Sequence, residues 1–207
     1  DGIDPTIDNP DYDNIWERVD WAIAQADAND LMVIINVHHY DELMDDVAAH
    51  SPRFLAIWDQ IATRYADAGP HVVFELLNEP VGEFNDDPGL WNVLLDQALD
   101  VVRSTNPTRP VMIGPVGANS IGALDDLVVP DDPNLIAAVH FYDPFQFTHQ
   151  GATWPDVTPP LGQTWVADRF GIGIGWQNWS WSTEVTGSTG GLLVEYDEQW
   201  NGFQLHR

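Results

Sequence analysis

Four short apolar runs alternate with segments whose apolar residues recur at helical spacing, and this alternation constrains the fold more than any other feature of the chain. The runs are Leu31–His38, Val72–Glu79, Pro110–Gly114 and Asn134–His140. Each is almost continuously apolar, the pattern of a strand buried on both faces. Before the first run, Ile15, Trp16, Val19, Ile23 and Ala26 predict a helix over about 14–29. Phe54, Leu55, Trp58, Ile61, Ala62 and Tyr65 predict a second, stopped near Gly69-Pro70. Leu90, Trp91, Leu94, Leu95, Ala98, Leu99 and Val102 predict a third, and a short helix near 120–128 precedes the fourth strand. Strand and helix at this spacing imply βαβ units and a parallel sheet. Either a (β/α) barrel or an open doubly wound sheet satisfies the pattern. No glycine-rich phosphate loop follows any strand, which counts against the second. Polar or titratable residues close three of the runs instead: His38 and His39, Asn78 and Glu79, and His140. Barrels gather their catalytic groups at that end of their strands. The expected fold is α/β and TIM (β/α)8-barrel-like, in a single domain over residues 1–207.

The second run carries the most chemistry. Its Val-Val-Phe-Glu-Leu-Leu core is closed by Asn78, Glu79 and Pro80. Proline cannot donate to a ladder and fixes its own φ, so the strand must stop there. Glu79 is thereby expected at the tip of a rigid strand, beside an amide that can orient it, as a general acid requires. The competing reading is a glutamate that caps the following loop. His38 and His39 are neighbours, so on a strand they would point to opposite faces. Neither pairs with clustered acids or a His-x-His, so no metal and no cofactor are expected.

Charge and composition exclude whole classes. Thirty-three acidic residues oppose seven basic ones, all arginine, for a formal net charge of −26. Nucleic acid and anionic membrane surfaces both need positive patches, and neither is an expected partner. No run of about 18 apolar residues occurs that would form a membrane-spanning helix. The 44% hydrophobic content and ten tryptophans argue against a disordered acidic chain. The acidity reads as a solvated, halophile-type surface whose self-repulsion salt would screen. Cysteine is absent, so disulfides, thiolate metal sites and thiol nucleophiles are excluded. Any secretion signal is expected to have been removed or to lie outside this sequence. Trp16, Trp21, Trp58 and Trp91 lie in the predicted helices and are expected in the core. Trp154, Trp165, Trp176, Trp179 and Trp181 lie in the aromatic C-terminal third, where indoles could stack on the apolar faces of sugar rings.

With these stretches in hand, the chain resembles glycoside hydrolase family 5, the cellulase family, and its bacterial and haloarchaeal-type endo-β-1,4-glucanases. Asn36-Val-His-His-Tyr40 is similar to the family's third-strand motif, and Phe74-Glu-Leu-Leu-Asn-Glu-Pro80 to its fourth. His140-Phe-Tyr142 with the following Asp-Pro-Phe-x-Phe-Thr-His-Gln-Gly-Ala loop resembles the sixth, and Gly171 to Trp181 the eighth. The resemblance implies a secreted retaining enzyme acting on β-glucan. It makes Glu79 the acid/base, with Asn78, His38, His39, His140, Tyr142 and Trp179 as substrate-binding residues. It also implies a barrel lacking strands 1, 2 and 7, one that stays monomeric or associates through its open edges.

Retaining glycosidases place two carboxylates about 5–5.5 Å apart. The Gly-Glu-Phe-Gly-like setting of the family's nucleophile is not evident between Trp165 and Phe170. Glu75, four residues before Glu79 on one strand, would lie about 13 Å away, too far to serve. Gly82-Glu83-Phe84 belongs to the same loop as Glu79 and reads as loop structure. Glu184 and Glu195 follow the tryptophan-rich segment and remain as alternatives. The expectation is an endo-β-1,4-glucanase-like hydrolase with weak or lost turnover; the rival is a non-catalytic β-glucan-binding remnant.

Overall fold

The computed structural model describes residues 15–153 and 155–163, with the backbone of Leu193–Tyr196 and Phe203–His206. It divides into two compact units, one ending at Val139 and one beginning at His140.

The first unit follows the order α1 (Ile15–Ala28), β1 (Val33–Asn36), α2 (Asp41–Asp45), α3 (Val47–Arg64), β2 (Val72–Glu75), α4 (Glu83–Asp86) and α5 (Pro88–Thr105). It continues with β3 (Val111–Ile113), a four-residue turn α6 (Val116–Asn119), a 3-10 helix (Ile121–Asp126) and β4 (Leu135–Ala137). The strands form one sheet in the order β1-β2-β3-β4, every neighbour parallel. Period-two alternation sorts their side chains. Val33, Ile35, Val72, Phe74, Val111, Ile113 and Leu135 join the helices' Phe54, Trp58, Ile61, Trp91, Leu95 and Ala98 in one apolar cluster. The alternate residues Ile34, Val73, Met112 and Ile136 lie outside that cluster. Among the described residues the helices thus cover one face of the sheet, as in a barrel wall; a doubly wound sheet carries helices on both.

Burial falls away from the centre. All four residues of β2 are buried, those of β1 are half-buried, and Ile136 in β4 is 43% exposed. Two core indoles pin the ends of the inner strands. Trp58 Nε1 donates to the Leu76 carbonyl and Trp91 Nε1 to the Gly114 carbonyl, each at 2.9 Å.

The N-terminal end of the sheet is closed by arginines. Arg109 donates to the carbonyls of Tyr65, Ala68, Gly69 and Val72 and to Asn106 Oδ1, at 2.8–3.0 Å. Burial holds its guanidinium below the usual arginine range. Arg103 donates to both carboxylate oxygens of Asp132, at 2.6 and 3.3 Å, and holds that carboxyl below its ordinary range. Among the helices, Arg64 and the Tyr65 hydroxyl both donate to Asp20. Burial, then the Asp20 carboxylate, pushes the Tyr65 phenol up to about 12.

Several expected boundaries move. The second helix begins at Val47, ahead of the apolar stripe that starts at Phe54, because Asp46 accepts a hydrogen bond from Ala49 N and caps it. Pro52 is tolerated near its start. The third helix starts at Pro88, proline at its first position and Asp87 capping through Gly89 N. Trp21 is 66% exposed rather than in the core. It lies five residues beyond Trp16, about 140° around the helix from the inward stripe. Trp58 and Trp91 are buried and Trp16 packs against the core.

In the second unit a one-turn helix α7 (Phe145–Thr148) follows Pro144. Phe145 stacks on His149 with ring centroids 4.1 Å apart, and Tyr142 lies 5.0 Å from the same imidazole. Gln150 and Gln163 exchange hydrogen bonds of 3.0 and 2.7 Å that close the intervening loop. A strand β5 (Leu193–Tyr196) pairs antiparallel with β6 (Phe203–His206). The Gly171–Trp181 stretch that resembles the family's eighth-strand motif lies outside the described residues.

Candidate active site

The C-terminal end of the sheet carries the polar groups. The strand bearing Glu79 is shorter than expected, since regular pairing in β2 ends at Glu75. Beyond it the chain keeps its burial but divides its bonds between neighbours. Leu76 N donates to the Met112 carbonyl on one side at 3.3 Å, and Asn78 N to the Val37 carbonyl on the other at 3.0 Å. An apolar run reports burial, and burial persists where ladder geometry has stopped. Asn78 and Glu79 therefore sit on a hydrogen-bonded extension of β2, with Asn78 buried and Glu79 half-buried.

Glu79 has a φ of +50°, which costs a non-glycine residue roughly 1 kcal/mol or more and is characteristic of functional sites. The next loops hold it there. Ala118 N donates to the Pro80 carbonyl at 3.2 Å from a turn in which Gly117, Ala118 and Asn119 all have positive φ. Gly82 must be glycine, since a Cβ there would stand 2.2 Å from the Met44 carbonyl oxygen. Glu83 accepts from Val47 N at 2.9 Å and so ties this loop to the start of α3. That is the loop role expected of it.

A pocket of about 150 Å³ opens at the end of β1, lined by Asn36, Val37, His38, His39, Tyr40, Arg53 and Ile57. His38 and His39 do not point to opposite faces. Their rings meet edge to face with centroids 4.5 Å apart, because β1 ends at Asn36 and strand alternation no longer applies. The Tyr40 hydroxyl lies 3.3 Å from His50 Nδ1, and the Arg53 guanidinium stands 5.2 Å from the Tyr40 ring centroid. On the pocket wall, Asn36 Nδ2 donates to Glu75 Oε2 at 2.8 Å and lies 3.3 Å from His38 Nδ1.

Comparison with known proteins decides what this end of the sheet belongs to. The family model Cellulase (glycosyl hydrolase family 5) matches residues 3–170. The chain belongs to glycosyl hydrolase family 5. It is 38% identical to endoglucanase H of Acetivibrio thermocellus over 150 residues, 72% of this chain and 16% of that protein. The endoglucanase Cel5A of Thermotoga maritima, solved with cellobiose, superposes with a TM-score of 0.70 at 44% identity, covering 77% of this chain and 53% of that one. The same enzyme with mannotriose gives 0.70 at 43% identity over the same shares. The chain thus spans about half the length of these solved relatives and a smaller share of the curated one. The family is one of glycosyl hydrolases, and among the described residues the four-stranded parallel sheet forms an incomplete (β/α)8 barrel wall.

Within this family 5 frame the first unit brings together His38 and His39 at the pocket and places Asn78 and Glu79 at the same end of the sheet. His140 and Tyr142 belong to the second unit, where their rings approach edge to face at 6.3 Å. Trp179 and Glu184 lie outside the described residues, as do Trp154, Trp165, Trp176 and Trp181. Glu195 is on β5, of which the backbone is described. Two groups were not singled out as binding residues from sequence: Arg53, which lines the pocket, and Asn36, which joins Glu75 to His38. A signal for the second existed. Glu75 interrupts an apolar run, and a buried carboxylate requires a donor on the neighbouring strand.

Proposed function

We propose that this chain binds β-1,4-glucan as an endoglucanase-type member of family 5, with Glu79 as the acid/base and hydrolysis far below that of a complete enzyme. The observation that carries the proposal is Glu79 in its Asn-Glu-Pro setting at the C-terminal end of a barrel wall, in a strained backbone conformation braced by two loops. Asn78 orients it and His38 and His39 bind the sugar; the family resemblance assigns the same task to His140, Tyr142 and Trp179. A general acid delivers a proton to the leaving oxygen, but a retaining mechanism also needs a second carboxylate about 5–5.5 Å away. The sequence has no nucleophile motif where the family keeps one. A polymeric substrate supports an extracellular setting, and the acidic surface supports a salt-rich one.

The test pairs affinity electrophoresis in β-glucan gels with a carboxymethylcellulose assay, at low and at molar NaCl. Retardation with turnover at least about 100-fold below complete relatives is expected. Ordinary turnover that disappears in Glu79→Gln would overturn the weak-hydrolysis reading, and unretarded migration in both salts would overturn the binding. A melting temperature that falls as NaCl rises would remove the salt-rich setting.

A further inference from the structure

We propose that Glu75 acts as a positioning residue: through Asn36 it fixes the proton of His38 on Nε2, so that His38 meets the bound sugar as an N–H donor. The sugar rests on the proposed function above; the place of the proton rests on geometry alone.

Asn36 and Glu75 are register partners on neighbouring parallel strands, so their side chains share one face of the sheet. His38 follows two residues after Asn36. One amide nitrogen, Asn36 Nδ2, lies 2.8 Å from Glu75 Oε2 and 3.3 Å from His38 Nδ1. That nitrogen carries two hydrogens and accepts nothing. One hydrogen goes to the carboxylate, leaving the second for the imidazole.

The amide has an alternative orientation, and Glu75 decides against it. Turned over, it would set its own oxygen against Glu75 Oε2, a contact that an ionised carboxylate cannot satisfy, whereas the amide nitrogen at 2.8 Å satisfies it without taking up a proton. Glu75 is only 4% exposed, so bulk water offers little relief. The amide nitrogen therefore faces both partners, and His38 Nδ1 is an acceptor. A neutral imidazole that accepts at Nδ1 carries its proton on Nε2. The His39 ring, packed edge-on at 4.5 Å, supports the plane of the His38 ring. A pocket-lining histidine locked this way presents a donor to hydroxyl oxygens. A histidine free to exchange tautomers would present a donor or an acceptor by turns.

The experiment uses the full chain, labelled with 15N and free of sugar, and reads both ring nitrogens of each histidine by long-range 1H–15N correlation. The His38 signals are assigned by their loss in His38→Gln. A single tautomer with Nε2 protonated is expected. Asn36→Asp sets a carboxyl oxygen toward Nδ1, and with any proton the two carboxyls hold shared between the new carboxyl and Glu75, that oxygen accepts and the imidazole proton is expected to move to Nδ1. Glu75→Gln lets the amide turn, and a mixture of tautomers is expected. A wild-type ring protonated at Nδ1 or divided between tautomers overturns the proposal, as does Asn36→Asp with the proton still on Nε2. If Asn36→Asp does not fold, the wild-type spectrum and Glu75→Gln decide, and an unchanged single tautomer in Glu75→Gln overturns it. Glucan retardation is scored separately. A locked His38 without retardation removes the proposed function and leaves this inference standing, and the reverse result does the opposite.

Discussion

The two ends of the four-stranded sheet handle polar groups in opposite ways. At the N-terminal end every donor of Arg109 that reaches inward finds a carbonyl or the Asn106 amide oxygen, and Arg103 grips Asp132 through two bonds. At the C-terminal end Glu79 stands half-buried at positive φ, two histidines share a pocket, and three successive residues of the neighbouring turn are left-handed. One end ties its arginines into carbonyl and carboxylate bonds; the other sets Glu79 and three successive turn residues at positive φ and keeps two histidines in a pocket. The contrast teaches where stability and chemistry are invested in a barrel wall, the first at the foot of the strands and the second at their tips.

Substitutions can break or sharpen this contrast. Arg109→Met should have the largest effect. It removes five hydrogen bonds and leaves the Ala68 and Val72 carbonyls without the arginine, while Tyr65 and Gly69 keep backbone donors; the expected cost is about 3–5 kcal/mol of a total stability of roughly 5–15 kcal/mol. Chemical denaturation should show that loss, and a change below about 1 kcal/mol would mean the foot of the sheet is not held as described.

Asp132→Asn comes next, with an expected cost of about 2 kcal/mol near neutral pH. Arg103 keeps the Asp132 carboxyl below its ordinary range, so its contribution is present above about pH 4 and is lost as pH falls through the depressed folded value. Wild type and variant should therefore converge in strong acid. Equal spacing of their stability curves at every pH would refute the assignment.

The smallest effect belongs to the tips and has the opposite sign. Ala118→Gly removes a left-handed alanine and should stabilise the chain by about 0.5–1 kcal/mol. A lowered melting temperature would show that the methyl group's packing outweighs the strain.

Much of this was legible in the chain itself. Four apolar runs and the helical stripes between them determined a parallel α/β wall. The proline after Glu79 placed that carboxylate at a strand's C-terminal end, and the ordered motifs pointed to family 5. These signals are local, because periodicity and punctuation act over a few residues. The tertiary structure alone decided that regular pairing stops at Glu75, that His38 and His39 meet ring to ring, and that Trp21 faces out. It also decided that Glu75, dismissible from sequence as a misplaced second acid, belongs to Asn36 on the next strand. Each of these depends on which neighbour a strand pairs with and in what register. Register is a contact between segments about forty residues apart, which no window along the chain contains.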